Sequence, residues 1–155
     1  MRVNKYTIMY ENPGRNLALV RETAHNYDVH FSCPQDVRDA MCQIFNADNL
    51  PEEHVWLIAT DTRNKCRGIM EISKGSCNAS MFPVREILRD VLMMDGISFF
   101  IVHNHPSGEV SPSREDKTAT EKLRSAAKLM DLNLNDHIII GTEGTYYSFH
   151  ENEWR

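Results

Sequence analysis

The sequence predicts a layered α/β protein, and three observations carry that prediction. The run ISFFIV, residues 97–102, is apolar without alternation, which marks a strand covered on both faces. Helical stripes flank it. Val84, Ile87, Leu88, Val91 and Leu92 recur at i, i+3, i+4, i+7 and i+8 before it, and Ala119, Leu123, Ala126, Ala127 and Met130 line one side of a long helix after it. Strand candidates rich in β-branched and aromatic residues stand among these helices, as a sheet with helices packed on it requires.

The elements follow in chain order. KYTIMY and NLALV are short strand candidates separated by the turn signal NPGR. CPQDVRDAMCQIFN is a helix, with Pro34 in the first turn, where a missing N–H costs nothing, and a stripe of Val37, Met41, Ile44 and Phe45. HVWLIATD (54–61) and CRGIMEIS, joined by the turn DTRNK, form a hairpin. PVREILRDVLMMDG is the second helix, stopping at Gly96, and PSREDKTATEKLRSAAKLMDL is the third. DHIIIG and TYYSF close the chain as two strands around TEG.

The bulk numbers bound the function. At 155 residues the chain is most economically one domain with its own core, and 41% apolar with 25% charged residues is the ordinary globular range. Residues 1–32 form a strand-like extension of the same domain, and 33–155 carry the chemistry. A net charge of -5 argues against a chain whose main work is gripping phosphates. Cysteines 33, 42, 66 and 77 show no C-x-x-C pair, and no stretch is apolar enough for a membrane span or for the core of a signal peptide. Reduced, structural thiols in a cytoplasmic protein are expected.

The chemistry concentrates in HNHPSGEVSPSRED, residues 103–116. His103 and His105 are two apart at the end of a strand, so both imidazoles point to one face, and Pro106 keeps His105 extended. Ser107 and Gly108 make the turn that follows. Asp116 falls in the first turn of the next helix, from which it could offer a carboxylate oxygen. Two imidazoles and one carboxylate suit zinc and leave a fourth position open, as catalytic sites do. Ser113 and Asp116 are equally what a capped helix start looks like, and taken alone the capping reading is the stronger. Glu71, between Met70 and Ile72 in a strand, must face solvent, find a partner or carry a raised pKa; an edge-strand glutamate is the plain alternative. Asp136 and His137 could orient a ligand from behind, although such a pair more often closes a strand end. His25, His30, His54 and His150 receive no role.

His103-x-His105, seven residues, Ser113, two residues, Asp116 resembles the JAMM metal motif of JAB/MPN-type zinc metallohydrolases. HNHPSG, PSREDK and DHIIIG resemble the RadC branch of that superfamily, and the similarity extends from about Cys33 to Trp154. The resemblance implies a three-layer α/β/α sandwich similar to cytidine deaminases, with a mixed central sheet. It implies Zn2+ held by His103, His105 and Asp116, with Glu71 acting through the metal-bound water and Ser113 near the developing oxyanion. Residues 74–83 and 107–113 would border the cleft.

Three function classes follow. The leading one is a zinc metallopeptidase or isopeptidase-like hydrolase acting on a peptide or protein, including one with a ubiquitin-like tail. The second is a nucleic-acid role, since the RadC branch carries a DNA-repair label and HNH superficially resembles HNH nucleases, in which the three letters are dispersed over a ββα hairpin. Longer RadC proteins have an N-terminal helix-hairpin-helix region; only about 30 residues precede the similarity here, as expected of the catalytic domain alone. The third is a noncatalytic binding module, members of which lose metal ligands that this chain keeps.

Overall fold

The strand expected at 97–102 is β5 (Ser98–Asn104), buried at every position, and it lies near the middle of one seven-stranded sheet. The structure, a computed structural model, describes residues 2–11, 16–27, 30–75 and 82–154. The other elements are β1 (Arg2–Glu11), β2 (Asn16–Asn26), α1 (Pro34–Phe45), β3 (His54–Thr60), β4 (Cys66–Lys74), α2 (Val84–Met93), α3 (Arg114–Leu129), β6 (Asn133–Ile140), β7 (Tyr146–Ser148) and α4 (Phe149–Asn152). The sheet order is β2-β1-β4-β3-β5-β6-β7, antiparallel except for the parallel pairs β1·β4 and β5·β6.

Alternation along β3 and β5 builds two cores. Val55, Leu57, Ala59, Phe99 and Ile101 pack under α2 and α3 with Ile87, Val91, Leu123 and Ala127. Trp56, Ile58, Phe100 and Val102 face the other way, onto Val37, Ala40 and Met41 of α1. Burial of each of the larger side chains contributes about 1.5–3 kcal/mol, and a sheet covered on both faces needs apolar residues at every position of its central strands. The result is the layered α/β protein that the sequence predicts, in the mixed-sheet α/β/α form that the family resemblance implies. No described helix is long and apolar enough to cross a membrane.

Several details differ from the sequence reading. The two N-terminal strands are longer than KYTIMY and NLALV and form an antiparallel hairpin; Lys5 and Tyr6 of β1 pair with Ile69 and Met70 of β4, which places the hairpin in the same sheet. The turn signal NPGR lies outside the described residues, as do Cys77 and most of the segment 74–83. The left-handed residue after α2 is Asp95 (φ 55), not Gly96. Gly96 is needed for packing instead, since a Cβ there would stand 3.0 Å from that of Ala59. TYYSF is a strand only to Ser148, whose hydroxyl then caps α4 by accepting from the Glu151 N–H. Cys33, Cys42 and Cys66 are free thiols, and burial pushes Cys42 up to about 11 and Cys66 up to about 12.

Candidate metal centre

Parallel pairing of β5 with β6 and the start of α3 bring three side chains together at the C-terminal end of β5. One ligand atom from each of His103, His105 and Asp116 lies within 4.8 Å of the other two. Gly108 adopts φ 85, the left-handed turn that lets the chain reverse after His105 and enter α3. His103 and Asp116 are each about 1% exposed.

A chain of hydrogen bonds fixes which nitrogens carry protons. The Thr120 hydroxyl donates to the Asp116 carbonyl (2.6 Å), so the proton in its 2.6 Å contact with His137 Nδ1 comes from the imidazole. His137 Nε2 is then the acceptor facing His103 Nδ1 at 2.7 Å, which therefore donates. On the other ring, His105 Nδ1 donates to the Glu109 carbonyl at 2.6 Å. Both outer nitrogens, His103 Nε2 and His105 Nε2, are left with lone pairs, and they stand 2.9 Å apart. Two lone pairs at that distance repel each other unless a cation lies beside both.

Asp116 completes the set. Its Oδ2 accepts from the Ser113 N–H (2.7 Å) while the Ser113 hydroxyl accepts from the Asp116 N–H (3.0 Å), a full capping box. Its Oδ1 is buried without a hydrogen-bond partner, 3.5 Å from His103 Nε2. Capping and ligation are therefore not alternatives: one oxygen closes the helix and the other is spare. An orphaned buried carboxylate oxygen beside two imidazole lone pairs is a donor set that fits a divalent ion such as zinc.

The pair Asp136–His137 separates into two jobs. His137 orients His103, packed between the Phe149 ring (4.6 Å, stacked) and Phe82 (5.1 Å, edge-on). Asp136 points away and closes the strand end, accepting from the Ser148 hydroxyl and the His150 N–H.

Burial pushes His103 down to about 4 and holds His137 well below the usual histidine range. The unfolded chain takes up these protons near pH 6.5 and the folded chain does not until far lower, so stability is full above pH 6.5 and falls as the pH drops toward 4. Metal-free protein is expected to lose about 2 kcal/mol through His103 between pH 7 and pH 5. Chemical denaturation at both pH values, compared with His103→Gln, measures it.

The structure does not bring Glu71 into this group. Residues paired across strands share a face, and Glu71 pairs with Trp56, on the α1 side, whereas His103 pairs with Val55, on the α2/α3 side. Glu71 meets His54 Nδ1 (3.6 Å) and Lys5 Nζ (4.0 Å) there. The glutamate that the sheet places beside the histidines is Glu53. Continuing the register Val55↔His103 by two residues sets Glu53 opposite His105 on the same face. Both line a cavity of about 460 Å³ together with Glu109, Ser113, Glu115 and Asp116, and Ser107 and Ser111 complete its rim. The border expected from 107–113 is therefore present; residues 76–81 lie outside the described part. Glu53 was missed because it precedes the strand in PEEH, and nothing local says that this strand will lie beside the histidines.

The model of the RadC-like JAB domain matches residues 31–154. The chain belongs to this family. Among its relatives, a UPF0758 protein of Chloroflexus aurantiacus is 37% identical over 118 residues, covering 76% of this chain and 50% of the relative. One from Clostridium perfringens is 41% identical over 113 residues, covering 73% and 49%, and one from Methanococcoides burtonii is 41% identical over 102, covering 66% and 44%. The chain thus spans about half the length of the curated relatives it matches.

Proposed function

We propose that this chain is a JAMM-type zinc-dependent hydrolase that cleaves amide bonds, in the manner of a metallopeptidase or isopeptidase. The observation that carries the reading is the pair of imidazole lone pairs 2.9 Å apart beside the spare Asp116 oxygen, at the edge of a cavity that also holds Glu53. A zinc ion bound there would lower the pKa of a coordinated water toward about 7 and polarise a carbonyl. In this reading Glu53, rather than Glu71, holds the proton released on attack and delivers it to the departing amine nitrogen. The Ser113 hydroxyl uses its oxygen as a cap acceptor, which leaves its hydrogen free to donate to a developing oxyanion. The partner is a peptide or protein, a ubiquitin-like tail being one form of it.

The rim weighs against the nucleic-acid reading. Among the described residues the lining includes Glu53, Glu109, Glu115 and Asp116 and no lysine or arginine, so a phosphate backbone entering the cavity would meet like charge. Hydrogen bonds from the Ser111 N–H and hydroxyl hold the Glu109 carboxyl below the usual carboxylate range.

Purified protein is expected to hold about one zinc per chain and to cleave members of a peptide and isopeptide panel. Cleavage should stop on chelation and return with zinc. Protein that takes up no zinc, or metal-dependent nicking of DNA in place of amide cleavage, would overturn the reading.

A further inference from the structure

We propose that Asn104, the middle residue of HNH, is a positioning residue that holds Glu53 in register with the two histidines. The inference rests on the reading of Glu53 as the proton carrier. Asn104 is 1% exposed, and alternation along β5 sends its side chain to the face opposite His103. Its Oδ1 accepts from the His54 N–H at 2.7 Å and its Nδ2 donates to the Glu52 carbonyl at 2.9 Å. These are the residues on either side of Glu53. One planar amide therefore grips the backbone before and after the glutamate while the same strand presents the histidines.

A clamp is needed at this point because the ladder ends here. Val55↔His103 is the last pair of β3 with β5, and the next backbone donor along, the His105 N–H, turns to the Ile140 carbonyl of β6. Without Asn104, Glu53 would sit on a fraying strand end, held from the other side by the Gly75 N–H on its carbonyl. An amide is required because one donor and one acceptor must be supplied together.

The test uses Asn104→Ala in the full chain, with cobalt(II) as the metal probe. Amide exchange at His54 should accelerate by about tenfold or more. Paramagnetic relaxation of the Glu53 carboxyl carbon by bound cobalt should weaken, whereas cobalt affinity stays near that of the parent, because His103 and His105 keep their own partners. Should the alanine variant not fold, Asn104→Asp keeps the acceptor for His54 and loses the donor to Glu52, so it is read on the Glu53 relaxation alone, which should weaken while His54 exchange stays near that of the parent. Unchanged His54 exchange and Glu53 relaxation overturn the proposal, as does a fall in cobalt affinity that parallels them. A parent protein that binds no cobalt sinks the hydrolase reading instead; the clamp is then judged on His54 exchange, where an unchanged rate overturns it.

Discussion

Glu53→Gln is expected to lower amide cleavage by about 10²–10⁴ while leaving the zinc in place, and Glu71→Gln is expected to leave cleavage near that of the parent. The prediction follows from which side of the sheet each carboxylate occupies. Glutamine fills the same volume in the cavity and cannot take a proton, so the loss reads proton transfer rather than packing. Glu71 works behind the sheet, against His54 and Lys5, and its removal costs a partly screened ion pair that contributes at most about 1 kcal/mol to stability. Turnover of a cleaved panel member, measured beside metal content for both variants, decides the matter. Full activity in Glu53→Gln would return the role to another group.

His103→Ala has the other large effect. It is expected to abolish zinc binding and also to destabilise the metal-free chain by about 2–4 kcal/mol, because it empties a buried site and leaves His137 Nε2 without its donor. His105→Ala should abolish zinc binding with a smaller loss of stability, since His105 is only partly buried and its single inner partner is a loop carbonyl. Denaturation with and without added zinc separates the two contributions: zinc should stabilise the parent and leave both variants unchanged. Equal stability losses in the two metal-free variants would contradict the hydrogen-bond chain through His137 and Thr120.

How much of this was legible in the sequence depends on how local the cause is. The cluster of His103, His105 and Asp116 was readable because two residues of a strand and one in the first turn of the next helix need only local geometry to converge. The middle strand was readable because burial on both faces removes alternation. Glu71 was misplaced because a glutamate in a strand can face either layer, and the register that decides it, with a shift between Val55 and Trp56, belongs to the pairing of two strands. Glu53 and Asn104 were invisible for a related reason, since their partnership requires β3 and β5 to be neighbours although β4 and α2 separate them in the chain. In the sequence Asp136 and His137 read as one unit, yet adjacent strand residues point to opposite layers and must do different things.

The capping box at the start of α3 has a wider consequence. Asp116 is aimed by the helix it begins, and both imidazoles are aimed by partners of the protein itself, so these inner hydrogen bonds hold the cluster together against the repulsion of the two facing lone pairs. Small zinc domains spend much of their binding energy on folding and collapse when the metal is removed. Under the proposed zinc reading the fold would outlive its metal: stripping and reloading should be reversible, and the ion would be free to serve as a reagent rather than as a rivet.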